Sequence, residues 1–180
     1  MKTEHELAKV LKEMMSTRSL NDISVSELSK RCGISRKTFY YHYHDIYDLL
    51  TQVFLDEKIA NLNAANDING LINIIWDYYT KNSKFIDATI DSAGKELFSE
   101  FIYNAIYTTI LRFVNRIDTD KTLALSTKRN ITRFYAFAYS NSIVYYLASY
   151  KNRTLVGLKS CFTFIDDSSL KNSVQNAIKK

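Results

Sequence analysis

The residues best equipped for chemistry lie in one short run. Arg36-Lys37-Thr38-Phe39-Tyr40-Tyr41-His42 places six side-chain donors within seven residues. An arginine can make a bidentate hydrogen bond to guanine, a lysine can do similar work or hold a phosphate, and a threonine methyl can meet the methyl of thymine. Tyr40, Tyr41 and His42 can donate to phosphate oxygens, contacts that position a protein on a duplex without reading sequence. Ser26 and Ser35 stand close to the run as further hydroxyl donors. These residue types suit recognition of double-stranded DNA.

Other constellations carry less. Asp87/Asp91 and Glu96/Glu100 are carboxylate pairs at i, i+4 spacing, common on solvated helix faces. No nucleophile motif, glycine-rich phosphate loop or metal set accompanies them. His42 and His44 are two residues apart and do not face one another on a helix, and His5 has no evident partner. Cys32 and Cys161 have neither metal nor redox spacing, so two reduced thiols in a cytoplasmic protein are expected. The expectation is therefore no catalysis, no metal and no cofactor, with a small helical enzyme as the remote rival.

The donor run needs a scaffold, and the flanking sequence supplies one. Ser24 or Ser26 can cap a helix, and Glu27 stands three residues after Ser24 in the capping-box pattern. Gly33 suits the left-handed position just past that helix. Ser35 then caps a helix over about 36–42, and Asp45 caps another running toward Asn61. Leu7, Val10, Leu11, Met14 and Met15 recur at helical spacing over 3–17. Leu28, Cys32, Ile34, Phe39 and Tyr43 can face that first helix, leaving the donors outside. This is a helix-turn-helix over 24–43, whose second helix enters the major groove. Amides at the starts of the third and fourth helices also favour phosphate.

The whole composition agrees with helices. The chain of 180 residues has no Pro and four Gly, so turn punctuation is sparse. Helices are expected over 68–81, 84–92, 95–116, 122–151 and 167–179, while 153–166 stays open between helix and loop. The polar stripe Glu100, Asn104, Thr108, Arg112 and Asn115 marks the 95–116 helix as otherwise apolar and mostly buried. The net charge of +5 only permits a polyanionic partner. Glu4, Glu6 and Glu13 with no apolar run argue against a signal peptide. Residues 134–150 carry no charge, but the stretch is short for a membrane span and contains Ser140, Asn141, Ser142 and Ser149. It reads as a buried or interface helix. The expected class is all-α, with a helix-turn-helix domain over 1–50 and a larger helical bundle over 51–180.

The stretch from Ile23 to Leu50 resembles the DNA-binding domain of the TetR family of bacterial regulators. The resemblance is carried by Val25, Leu28, Gly33-Ile34-Ser35, Thr38-Phe39-Tyr40, Tyr43 and Leu49. The Arg36–His42 run followed by Asp45 is similar to a branch that includes regulators of dihydroxyacetone kinase. One departure is Ile46, where the family often has a lysine that reaches a phosphate. The resemblance implies a homodimer paired through its last two long helices. It also implies a small-molecule pocket between the middle helices, and repression of a palindromic operator. Two reading heads would then sit about one helical turn apart, roughly 34–36 Å.

Trp76, Tyr79, Phe98, Phe101, Ile102, Tyr107, Phe134 and Tyr135 are the candidate lining of such a pocket, although aromatics at helical spacing also serve as core. The uncharged surface of 134–150 is more apolar area than a small monomer exposes, and pairing with a second copy would bury it. A rival within the DNA-binding class is a chromosome-organising or co-activator protein that no effector releases.

Overall fold

The scarcity of turn formers becomes helix throughout. The computed structural model describes residues 2–165 and 167–179. Among these the chain forms α1 (Lys2–Met15), α2 (Val25–Arg31), α3 (Arg36–His42), α4 (Ile46–Asp56) and α5 (Ile68–Lys81). These are followed by α6 (Ser83–Ile90), α7 (Lys95–Ile117), α8 (Leu125–Ser149), α9 (Leu155–Ser160) and α10 (Asp167–Ile178). No strand occurs among the described residues, and no helix there is long and apolar enough to cross a membrane. Two units are present: Met1–Lys58 with Lys81–Phe101, and Ile59–Thr80 with Ile102–Lys180.

The first unit is organised by α1, which packs against α2, α4 and α6. Leu7, Leu11, Met14 and Met15 on α1 are almost wholly buried, as are Leu28, Phe39, Leu49 and Leu50 opposite them. This unit extends past residue 50 because α4 continues unbroken and buries Val53 and Phe54 as well. Phe54 meets Phe85 at 5.6 Å and Phe98 at 6.1 Å, which draws α6 and the start of α7 into the same core. α4 stops at Asp56, short of the expected Asn61. Beyond it Glu57 is extended, and Lys12 of α1 holds its carboxylate at 2.7 Å. The same ammonium lies 5.1 Å from the Phe85 ring centre.

The second unit is built on long helices. On α7, Ile106, Ile110 and Val114 are fully buried, while Asn104, Thr108 and Asn115 of the polar stripe are exposed. Arg112 is half-buried and donates to the Leu62 carbonyl at 3.2 Å. The corner between α7 and α8 is fastened by a buried carboxylate. Asp118 pairs with Lys128 at 2.7 Å and accepts from the Thr122 amide and hydroxyl at 3.0 and 3.2 Å. The Lys128 ammonium, helped by Thr122, holds the Asp118 carboxyl below its usual range.

The segment 153–166 resolves into a short helix and turns, apart from Asp166, which lies outside the described residues. Thr154 caps α9 by accepting from the Gly157 amide at 3.0 Å. The Tyr146 hydroxyl on α8 accepts from the Thr154 amide and donates to its carbonyl, at 3.0 and 3.1 Å. A tyrosine therefore sets where α9 begins, which no local spacing reveals.

Two outcomes follow. Gly33 has φ of +66° and no heavy atom within 4 Å of where a Cβ would stand. Gly33→Ala should therefore cost only backbone strain, about 1 kcal/mol in chemical denaturation, with Gly33→Asn costing less. Asp118 has a folded pKa below its ordinary value of 3.8. Its stabilisation is complete above that value and is lost as pH falls through the folded pKa. Melting of wild type and Asp118→Asn across pH should show the wild-type advantage shrinking below about pH 4. A gap that stays constant there would contradict the account.

Candidate nucleic-acid interface

The helix-turn-helix is assembled by local hydrogen bonds before any packing is considered. Ser24 is the cap of α2, its hydroxyl accepting from the Glu27 amide at 3.2 Å. Ser26 lies inside α2 and is exposed. The Glu27 carboxylate is directed elsewhere, to Arg18 at 2.5 Å and Arg31 at 3.5 Å. The Arg18 guanidinium beside it holds that carboxyl below its usual range. At the other end, Gly33 donates to the Lys30 carbonyl and Ile34 to the Ser29 carbonyl, at 3.2 and 3.0 Å. That pair of bonds is the Schellman closure, which needs the left-handed residue that Gly33 provides. Ser35 then caps α3 by accepting from the Thr38 amide at 3.0 Å, and its hydroxyl lies 2.9 Å from that of Thr38.

α3 has seven residues and buries one of them, Phe39. Tyr43, just past its end, is buried too. With Phe39 inward, Arg36, Lys37, Tyr40 and Tyr41 are exposed, and Tyr41 keeps 86% of its surface open. Thr38 is half-buried. His42 is also half-buried, and its Nδ1 lies 3.4 Å from the Glu4 carboxylate on α1. The face thus presents two cations and two phenols, with no acid from α3 itself. No group of three or more metal-ligating side chains suited to an ion occurs among the described residues.

Residues 9–53 match the family described as bacterial regulatory proteins, tetR family, and residues 66–154 match a transcriptional regulator C-terminal region. The chain belongs to the TetR family of bacterial transcription regulators. A curated relative is the HTH-type dhaKLM operon transcriptional activator DhaS of Lactococcus lactis subsp. lactis (strain IL1403), 32% identical over 77 residues. That match covers 43% of this chain and only 36% of the relative. A solved structure of a dihydroxyacetone kinase operon activator DhaS is similar in fold, with TM-score 0.56 and 19% identity over 98% of this chain and 94% of that one. A TetR-family regulator from Streptomyces coelicolor gives 0.59 and 13%, over 99% and 89%. The description of the Lactococcus relative is of the kind to which the Arg36–His42 run pointed.

Within this TetR-family chain the departure at Ile46 has a physical explanation. Ile46 is 7% exposed and belongs to the core of the first unit. The start of α4 is also occupied. Asp45 accepts from the Asp48 amide at 2.9 Å, and Asp48 accepts from the His44 amide at 3.0 Å. Two carboxylates therefore cap the start of α4, where amides were expected to favour a phosphate. Tyr47, on the same turn, donates to Asn21 at 2.9 Å. That tie ties α4 to the loop before α2 across 26 residues of sequence, and nothing in local spacing announces it.

The eight pocket candidates have varied surroundings. Trp76 and Tyr79 lie with ring centres 5.3 Å apart on α5, and Arg153 donates to the Tyr79 hydroxyl at 2.7 Å. Tyr107 meets Tyr103, and the Tyr135 hydroxyl bonds Ser173 at 2.8 Å. Ile102 is fully buried. Phe98 and Phe101 belong to the first unit, where both meet Phe54, at 6.1 and 5.5 Å. Phe134 is 69% exposed on α8.

Ile46→Ala should lower stability by about 2 kcal/mol, as loss of a buried branched side chain does. Its DNA association should keep the wild-type salt slope. A smaller slope would mean that the lost packing also draws cations of α3 away from phosphates.

Proposed function

We propose that this chain is a cytoplasmic, homodimeric regulator that reads a palindromic DNA operator through α3. The observation that carries the reading is the division of α3. Phe39 is anchored in the core, Lys37 and Tyr41 stand roughly opposite it, and Arg36 and Tyr40 flank it, all four exposed. Arg36 and Lys37 are assigned to base edges, Thr38 to a thymine methyl, and Tyr40 and Tyr41 to phosphates. Ser35 contributes chiefly as the helix cap, Ser26 is kept as a peripheral hydroxyl contact, and His42 is shared between phosphate and Glu4.

The dimer reading rests on α8. Phe134, Phe137 and Tyr145 are 69%, 55% and 67% exposed, and with Asn141 they form one stripe at helical spacing. A second copy of the chain is the proposed cover, and two-fold pairing suits a palindrome. α10 contributes less apolar area, since its exposed residues are almost all polar. Release by a small molecule bound in the second unit, near Trp76 and Tyr79, completes the reading with repression as the default action. Activation is the second reading, favoured by the activator description of the Lactococcus relative.

The test is a mobility-shift titration against the DNA flanking the protein's own gene, alongside light-scattering mass measurement. A discrete complex is expected, with log affinity falling by about 0.9 per neutralised phosphate against log salt. Arg36→Ala should relax preference at one base pair by about 1–3 kcal/mol, and Phe137→Asp should give a species of half the mass. Absence of any discrete complex at moderate salt would sink the proposal.

A further inference from the structure

Arg18, Arg31 and Arg36 surround the same motif, but they are held differently. Arg18 and Arg31 are paired with the Glu27 carboxylate. Arg36 instead has its guanidinium carbon 5.9 Å from the centre of the Tyr40 ring, one helical turn further on. Residues four apart are neighbours on a helix surface. Tyr40 in turn meets Phe39 edge-on, with centroids 5.5 Å apart and planes at 87°. Phe39 is fully buried. A buried ring thus lies edge-on to an exposed ring, and the Arg36 cation lies within cation–π reach of that exposed ring.

The type of seat matters for base reading. A carboxylate occupies the in-plane N–H donors of a guanidinium. An aromatic face takes the flat side and leaves those donors free. Bidentate recognition of guanine requires that free edge, held in the plane of the base. A long side chain with several rotatable bonds loses conformational freedom on binding, and a preset side chain loses less.

We propose that Tyr40 is a specificity-determining positioning residue: its ring, buttressed by Phe39, presents the Arg36 guanidinium edge to a guanine, a role separate from its hydroxyl's contact with phosphate. This rests on the reading of α3 as the DNA-reading helix.

The probe is the duplex that wild-type protein selects from a randomised pool, compared with the same duplex altered in one half-site at the base pair where Arg36→Ala loses preference. Tyr40→Phe should weaken binding to both duplexes equally and keep the wild-type discrimination ratio. Tyr40→Leu should lower that ratio about two- to five-fold, as expected for an exposed cation–π contact. In the Arg36→Ala background, Tyr40→Leu should change the ratio no further. Melting curves monitor folding, and Tyr40→Phe supplies the conservative control. The inference is overturned if Tyr40→Leu keeps the ratio, if Tyr40→Phe loses it equally, or if the two substitutions act additively. It is also overturned if Arg36→Ala relaxes no base pair. If wild type selects no duplex, the DNA-reading proposal fails first, and this one falls with it.

Discussion

The burial of Phe39 is the constraint on which the reading head depends. A helix of seven residues has too few hydrogen bonds to persist alone in water. α3 exists because one fully buried ring anchors it, a serine caps its start and Gly33 aims it. With one inward residue the rotation of the helix is set, and every other side chain's position follows. Moving Phe39 off its seat would displace Arg36, Lys37, Tyr40 and Tyr41 together. α2 packs directly against α3, and Leu7, Leu11, Met14 and Met15 of α1 fill the core of the same unit.

Charge plays the second part, mostly by subtraction. Glu27 takes up Arg18 and Arg31, and Asp45 and Asp48 occupy the start of α4. The cations remaining on α3 are therefore those that face solvent with no acid from their own helix. A small net positive charge suffices, because its placement and not its size defines the surface. In the second unit the same economy appears as a buried pair, Asp118 with Lys128, at the turn where two long helices meet.

Much of this was legible from spacing. The caps at Ser35 and Asp45, the Gly33 closure and the apolar repeat of α1 are local signals, and each formed as the sequence indicates. The capping box formed by half, because Arg18 competes for Glu27 from outside the helix. The end of α4 shifted because Glu57 answers to Lys12, far off in sequence. Phe98 and Phe101 joined the core of the first unit because Phe54 lies beside them. Phe134 and Tyr135 are adjacent in sequence, yet one is exposed and the other buried. Aromatic content alone cannot separate them, since helical rotation turns neighbouring residues about 100° apart.

The sequence by itself determined the helical class, the motif over 24–43 and its outward donor set. These follow from turn residues, caps and periodicity, which act over a few residues. Only the tertiary structure decided that Ile46 is core, that the Glu27 carboxylate turns to Arg18, and that α9 starts at a tyrosine of α8. Those outcomes depend on which side chains arrive from distant positions, and burial and pairing are properties of that arrival. The opening run of six donors is thereby narrowed to an exposed face in which Arg36 and Tyr40 act as one piece.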